Sequence, residues 1–200
     1  RLTCESVIAL VKTLTEPTRL WLVTAAAQAV ESGPVSVAQA PLWGLARTIA
    51  HELRGRLTHL IPFGPEMEVV ALRWRNQLLE NAKVAATVSP APEMAHNEIM
   101  GWPHLKDLSM PVSFVVMPDR WPGSPAFAGL FRALRLTAQA QGFPFVKVPP
   151  APGDGLSALL VQAYLGDRVS VELADLLGVD ATPVEPITRL RISMRKEQGS

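Results

Sequence analysis

Pro41-Leu-Trp-Gly-Leu-Ala-Arg-Thr-Ile-Ala-His-Glu-Leu53, followed by Leu57-Thr-His-Leu-Ile-Pro-Phe63, is the stretch that decides the fold. In its first part Leu42, Leu45, Ala46, Ile49 and Leu53 recur at helical spacing and share one side. Pro41 falls in the first turn, where its missing N–H costs nothing. Leu57–Phe63 reads as a strand. Upstream, Arg19-Leu-Trp-Leu-Val-Thr24 is a mostly apolar run that suits a strand buried on both faces. Before it, Ser6–Leu14 has the spacing of a short helix, and downstream Val69–Asn81 predicts another. Strand, helix, strand, helix implies an α/β fold: a truncated Rossmann-like parallel sheet with flanking helices.

The pattern continues past a Pro-containing junction at Val88–Pro92. Val112-Ser-Phe-Val-Val-Met117 predicts a strand, Ala126–Gln141 a helix stopped by Gly142, and Phe143–Val148 another strand. Pro149-Pro-Ala-Pro-Gly153 is a linker. Leu156–Leu177 predicts a C-terminal helical segment, with Leu159, Leu160, Ala163, Leu173 and Leu176 on its apolar face and Gly178 as its stop. Arg189–Lys196 reads as a basic, loosely held tail.

Composition excludes several classes of function. Lys and Arg total 19 against 18 Asp and Glu, so there is no basic surplus to meet a nucleic acid's phosphates. No apolar run approaches the ~20 residues that span a bilayer. Arg1-Leu-Thr-Cys-Glu5 opens without a signal-peptide apolar region and reads as a cut through a longer chain. The single Cys4 can form neither an intramolecular disulfide nor a cysteine metal cage, which fits a reducing, cytoplasmic compartment.

Three stretches resemble modular type I polyketide synthases. Leu20-Trp-Leu-Val-Thr24, Ala27-Gln-Ala-Val30, Ala40-Pro-Leu-Trp-Gly-Leu-Ala-Arg47 and His51-Glu-Leu53 look like the non-catalytic, structural half of their ketoreductase, a short-chain-dehydrogenase-like unit. Met100-Gly-Trp-Pro-His-Leu105, Met110-Pro111, Phe114-Val-Val-Met117, Gly123-Ser-Pro125 and Gln141-Gly-Phe-Pro144 look like its late catalytic half. Ala163-Tyr-Leu165, Leu173-Ala-Asp-Leu-Leu-Gly-Val-Asp180 and Pro186-Ile-Thr-Arg-Leu190 resemble helix I and the following loop of an acyl carrier protein. The resemblance implies three units: 1–91 as structural subdomain, 92–150 as shortened catalytic half, and 151–200 as carrier-like tail.

It also implies a chain without its own activity. The 13 glycines form no G-x-G-x-x-G turn to hold the NADPH pyrophosphate. The family lysine falls on Glu98, its serines on Pro118 and Asp119, its tyrosine on Leu130 and its helix asparagine on Leu134. Reduction of a ketone needs that acid and those orienting groups. The only tyrosine, Tyr164, lies past the linker with Arg168 four residues on. In the carrier-like tail Ser193 is the nearest match to the phosphopantetheine-bearing serine, though no aspartate precedes it. The expected function is thus a non-catalytic structural or interaction fragment of a ketoreductase–carrier region. The alternatives are an NADPH-dependent β-ketoacyl-thioester reductase or an acyl carrier segment. No cofactor is expected, and the partners would be other polyketide synthase domains.

Other candidate chemistry is thin. His51-Glu52 starts like a zinc helix, but Gly55 stands where a second His is needed, and four scattered His with one Cys give no ligand spacing. His59 lies on the strand that follows. His104 reads as a surface or capping residue, and Trp43 and Trp102 read as core. Trp74 and Trp121 have no family counterpart and are open to exposure. Arg47, Arg54 and Arg56 read as a solvated helix end, and Asp154 and Asp167 have no partner in sequence.

Overall fold

The computed structural model describes residues 40–107, 111–118 and 125–198. Helix α1 spans Ala40–Leu53, strand β1 Leu57–Pro62, α2 Pro65–Glu80 and β2 Ala86–Val88. Three short 3₁₀ turns follow at Glu93–Ala95, Glu98–Met100 and Trp102–Asp107. Then come β3 (Val112–Met117), α3 (Pro125–Ala140), β4 (Phe145–Lys147), α4 (Gly155–Leu177) and α5 (Glu185–Gln198). The strand expected at 19–24 lies outside the described residues.

The four strands pair in the order β2-β1-β3-β4, all parallel. All six residues of β1 and β3 are in register, from Leu57 opposite Val112 to Pro62 opposite Met117. Every residue of β3 is buried, because helices or turns cover both faces of a parallel sheet. The alternation of β1 and β3 separates two cores. Leu60, Val115 and Met117 face α1, α2 and α4, meeting Ile49, Leu53, Trp74, Leu78, Val169 and Leu173. Ile61, Phe63, Phe114 and Val116 face the 3₁₀ turns and α3, meeting Met94, Trp102, Leu134 and Ala138. The α/β, parallel-sheet expectation therefore holds.

Several local readings change. Trp74 is fully buried rather than exposed, its indole N–H donating to the Gln162 carbonyl at 2.8 Å. Met100-Gly-Trp-Pro-His-Leu105 lies in short 3₁₀ turns and not in an α-helix. The Val88–Pro92 junction contains the end of a real strand, β2. The tail forms a 14-residue helix, α5. The boundaries expected at 91 and 150 fall between β2 and the turns, and between β4 and α4. The sheet and α4 reach across both, because β1 pairs β3 and α4 packs into the core of α1 and α2.

Candidate functional site

The order β2-β1-β3-β4 sends the connection after β1 to one side and the connection after β3 to the other. Where two such loops diverge, an open α/β sheet leaves a crevice at its carboxyl edge, the usual ligand position in this architecture. Here it is a shallow depression with room for little more than a water molecule. Its walls are Glu66 and Met67 of α2, Pro118 after β3, Pro150 and Ala151 after β4, and Ala158, Leu159 and Gln162 of α4.

Its chemistry is set by two features. The chain enters α2 through Gly64, whose φ of 91° only glycine adopts without strain, and Pro65. A helix N-terminus ordinarily attracts phosphate, through its unpaired N–H groups and its dipole. In α2 the first turn carries Glu66 and Glu68, so the chain's own carboxylates occupy that field. The second feature is Gln162, buried on α4. Its Nε2 donates to the Pro149 carbonyl at 2.7 Å, which leaves Oε1 buried without a partner among the described residues. The crevice thus offers acceptors, suited to a hydroxyl and unsuited to a phosphate.

A second cluster lies on the opposite face, toward the amino end of β1. The His59 ring sits between Thr87 of β2 and Glu98 of the second 3₁₀ turn. Nδ1 is 2.7 Å from the Thr87 hydroxyl, and Nε2 is 3.0 Å from a Glu98 carboxylate oxygen. Burial pushes the imidazole pKa down and the Glu98 carboxylate pulls it partly back, leaving it below the ordinary value. The ring also meets Phe114 edge-on, centroids 5.4 Å apart, and Phe114 lies 4.1 Å from Trp102. Beneath the turns Met94 and Trp102 are buried, while Glu93, His96, Glu98, His104 and Asp107 are exposed above them. Among the described residues no three His, Cys, Asp or Glu gather as a metal site.

The residues singled out in sequence have scattered fates. Glu98 holds His59, whereas Asp119 lies outside the described residues. Pro118 lines the crevice. Leu130 is half-buried and Leu134 fully buried, both packing the turn-side core. Ser193 is exposed on α5, its hydroxyl donating to the Arg189 carbonyl at 3.2 Å, an ordinary bond within a helix. Asp167 accepts two bonds from Arg73, at 3.0 and 2.8 Å. Gln162 and Thr87 were missed, and nothing in a single sequence marks a buried helix amide or a strand threonine. The Glu93-Met-Ala-His-Asn-Glu98 run did carry a signal, three ionisable side chains within six residues.

The four-stranded parallel sheet, in the order β2-β1-β3-β4, defines an open α/β domain with flavodoxin-like strand order. The structure is similar to a glucose-6-phosphate isomerase like protein from Thermus thermophilus, with a TM-score of 0.51 at 17% identity over 68% of this chain and 44% of that one. It is also similar to a glucosamine-6-phosphate deaminase from Thermotoga maritima, with a TM-score of 0.53 at 13% identity over 72% and 44%. Residues 44–194 match the bacterial phospho-glucose isomerase C-terminal SIS domain, and the chain belongs to that family. Among curated relatives, a bifunctional phosphoglucose/phosphomannose isomerase of Aquifex aeolicus is 32% identical over 153 residues, 72% of this chain and 46% of its own length. Proteins of the same description from Caldicellulosiruptor bescii and Thermoplasma volcanium are 28% and 29% identical. The chain spans less than half the length of the curated relatives it matches.

These matches overturn the polyketide synthase reading, with its fragment, reductase and carrier alternatives and its synthase partners. The family match covers the ketoreductase-like stretch at 100–144 and the whole of the carrier-like stretch at 163–190. What those stretches share with a ketoreductase or a carrier is the punctuation of helices and strands. The supposed carrier helix shows the physical reason: Leu165, Val169, Leu173 and Ala174 of α4 are buried against α1 and α2, a core element of the α/β domain.

Proposed function

We propose that this chain is the C-terminal SIS part of an isomerase that interconverts glucose 6-phosphate or mannose 6-phosphate with fructose 6-phosphate. The observation that carries the reading is the match to the Aquifex aeolicus isomerase at 32% identity over 72% of the chain. Moving a carbonyl between neighbouring carbons requires a base to carry a proton from one carbon to the other, and an acid to serve the oxygens. The 93–98 run brings an imidazole, His96, and a carboxylate, Glu93, to one exposed turn. Such proton transfers use neither NADPH nor phosphopantetheine, and a phosphorylated sugar suits the cytoplasmic placement expected from composition.

The test is a hybrid in which residues 44–198 replace the matching part of the Aquifex aeolicus isomerase. Fructose 6-phosphate turnover is followed by coupling the product to a dehydrogenase. The expected result is isomerisation that falls by about 10²–10⁴ when His96 is replaced by Ala. A folded hybrid without turnover refutes the proposal.

A further inference from the structure

We propose that Thr87, His59 and Glu98 form a positioning device, in which Glu98 acts through His59 to set the 93–107 turns on the sheet and does no acid–base work itself. The inference rests on the isomerase reading for what those turns present, and on geometry for the device. Both nitrogens of His59 are occupied, one by Thr87 at 2.7 Å and the other by Glu98 at 3.0 Å. No nitrogen is left for a substrate. The ring is therefore a two-ended strut joining β2, β1 and the second 3₁₀ turn. Thr87 donates its O–H to Nδ1, and Nε2–H donates to the carboxylate.

The strut matters because it adds a polar tie to the apolar packing of Met94, Ala95, Ile99, Trp102 and Leu105 beneath the turns. Their backbone bonds are local, from Met94 N–H to the Pro90 carbonyl, Ala95 N–H to Pro92, Gly101 N–H to Glu98 and His104 N–H to Gly101. Met94 and Trp102 supply apolar anchoring beneath. Neither holds the outer edge, where His96 and Glu93 stand exposed, at a fixed distance from β1. The Glu98–His59 bond does. An exposed ion pair contributes little, and this contact is sheltered at its histidine end alone, with the His59 side chain 15% exposed and that of Glu98 43%. The pKa of His59, held down by burial, agrees with a neutral ring that bonds at both ends.

The device separates from chemistry through Glu98→Gln. A glutamine keeps an oxygen that accepts from His59 Nε2–H, yet it cannot act as a base. In the hybrid isomerase, Glu98→Ala and His59→Ala should each lower kcat by about 10²-fold with KM nearly unchanged, the scale of a misplaced catalytic group. Glu98→Gln should restore most of that loss. Glu98→Gln as inactive as Glu98→Ala would overturn the proposal, since the carboxylate itself would then be at work. If the folded native hybrid shows no turnover, the isomerase reading fails, and the device is judged on this chain alone by hydrogen exchange. The amides of Met94, Ala95, Gly101 and His104 should exchange faster in Glu98→Ala and normally in Glu98→Gln. Equal protection in all three proteins would overturn it.

Discussion

Gly166→Ala is the sharpest perturbation the fold allows. Gly166 lies on α4 where the indole of Trp74 presses against the helix. A Cβ built there would stand 2.2 Å from Trp74 Cδ1, 2.3 Å from Nε1 and 2.5 Å from Cγ. The obstacle is a flat, fully buried ring, so no flexible tip can swing aside. Rotating the indole would break its bond to the Gln162 carbonyl at 2.8 Å, so α2 and α4 must instead separate by more than 1 Å to regain ordinary contact. Overpacking of this kind costs about 1–3 kcal/mol, and a buried N–H left unpaired about 1–3 more. Alanine returns about 1 kcal/mol through its better helix propensity. The net expectation is a loss of about 1–5 kcal/mol. For a domain of this size that corresponds to a fall in melting temperature of roughly 2–20 °C. Urea titration of the chain and the variant measures it. Gly129→Ala on α3, where a Cβ meets nothing within 4 Å, is the control and should be neutral or slightly stabilising. Trp74→Phe should relieve part of the Gly166→Ala penalty, giving a non-additive double variant. A Gly166→Ala protein as stable as its parent would refute the packing argument.

Three other outcomes are expected. Asp167→Asn should cost no more than about 1 kcal/mol in urea, because the bidentate Arg73–Asp167 pair is half in water, with 51% and 32% of the side chains exposed. The His59 pKa is held below its ordinary value, so the folded state resists protonation more than the unfolded chain does. Its contribution to stability is therefore complete above about pH 6.5 and is lost as pH falls through the folded value. His59→Gln should flatten that acid-side decline in unfolding free energy measured between pH 8 and 5. Ser193→Ala should change stability by less than about 0.5 kcal/mol, and mass spectrometry after exposure to a phosphopantetheinyl transferase and coenzyme A should show an unmodified chain.

What could be read from sequence follows the physics of each element. Val112–Met117 was bounded to the residue because a strand buried on both faces is almost wholly apolar, with Ser113 the one polar residue, and Pro111 and Pro118 flank it. The long helix α4 was found to within one residue, its end marked by Gly178 in the left-handed conformation with φ 66°. Ala86–Val88 was missed because three residues cannot display a period, and β2 earns its place only by pairing with β1. Helix α5 was read as a loose tail because its apolar residues do not gather into a buried stripe. Trp74 was open to exposure because nothing local announces that a glycine 92 residues later makes room for it. The family went astray for a related reason. Pro-rich turns, glycine stops and aliphatic strands recur in many parallel α/β domains, so their agreement with a ketoreductase carried fold and no function. The site was the least legible part, since Thr87, His59 and Glu98 meet only when three separate segments are folded together.

Every residue from Thr182 to Lys196 is exposed, Leu190 and Met194 included, and the loop before α5 is tied to the body by the Lys83 ammonium, which donates to the Pro183 carbonyl. A helix of this length is marginal in water without a packed face. In this chain on its own, α5 should therefore open independently of the sheet, at a free energy far below that of global unfolding. Trypsin would then find Arg189, Arg191 and Arg195 in an already folded molecule, and a brief digest would release the last helix while α1 to α4 and the four strands stay intact. The same looseness makes α5 the element whose order reports most directly on whether anything covers it.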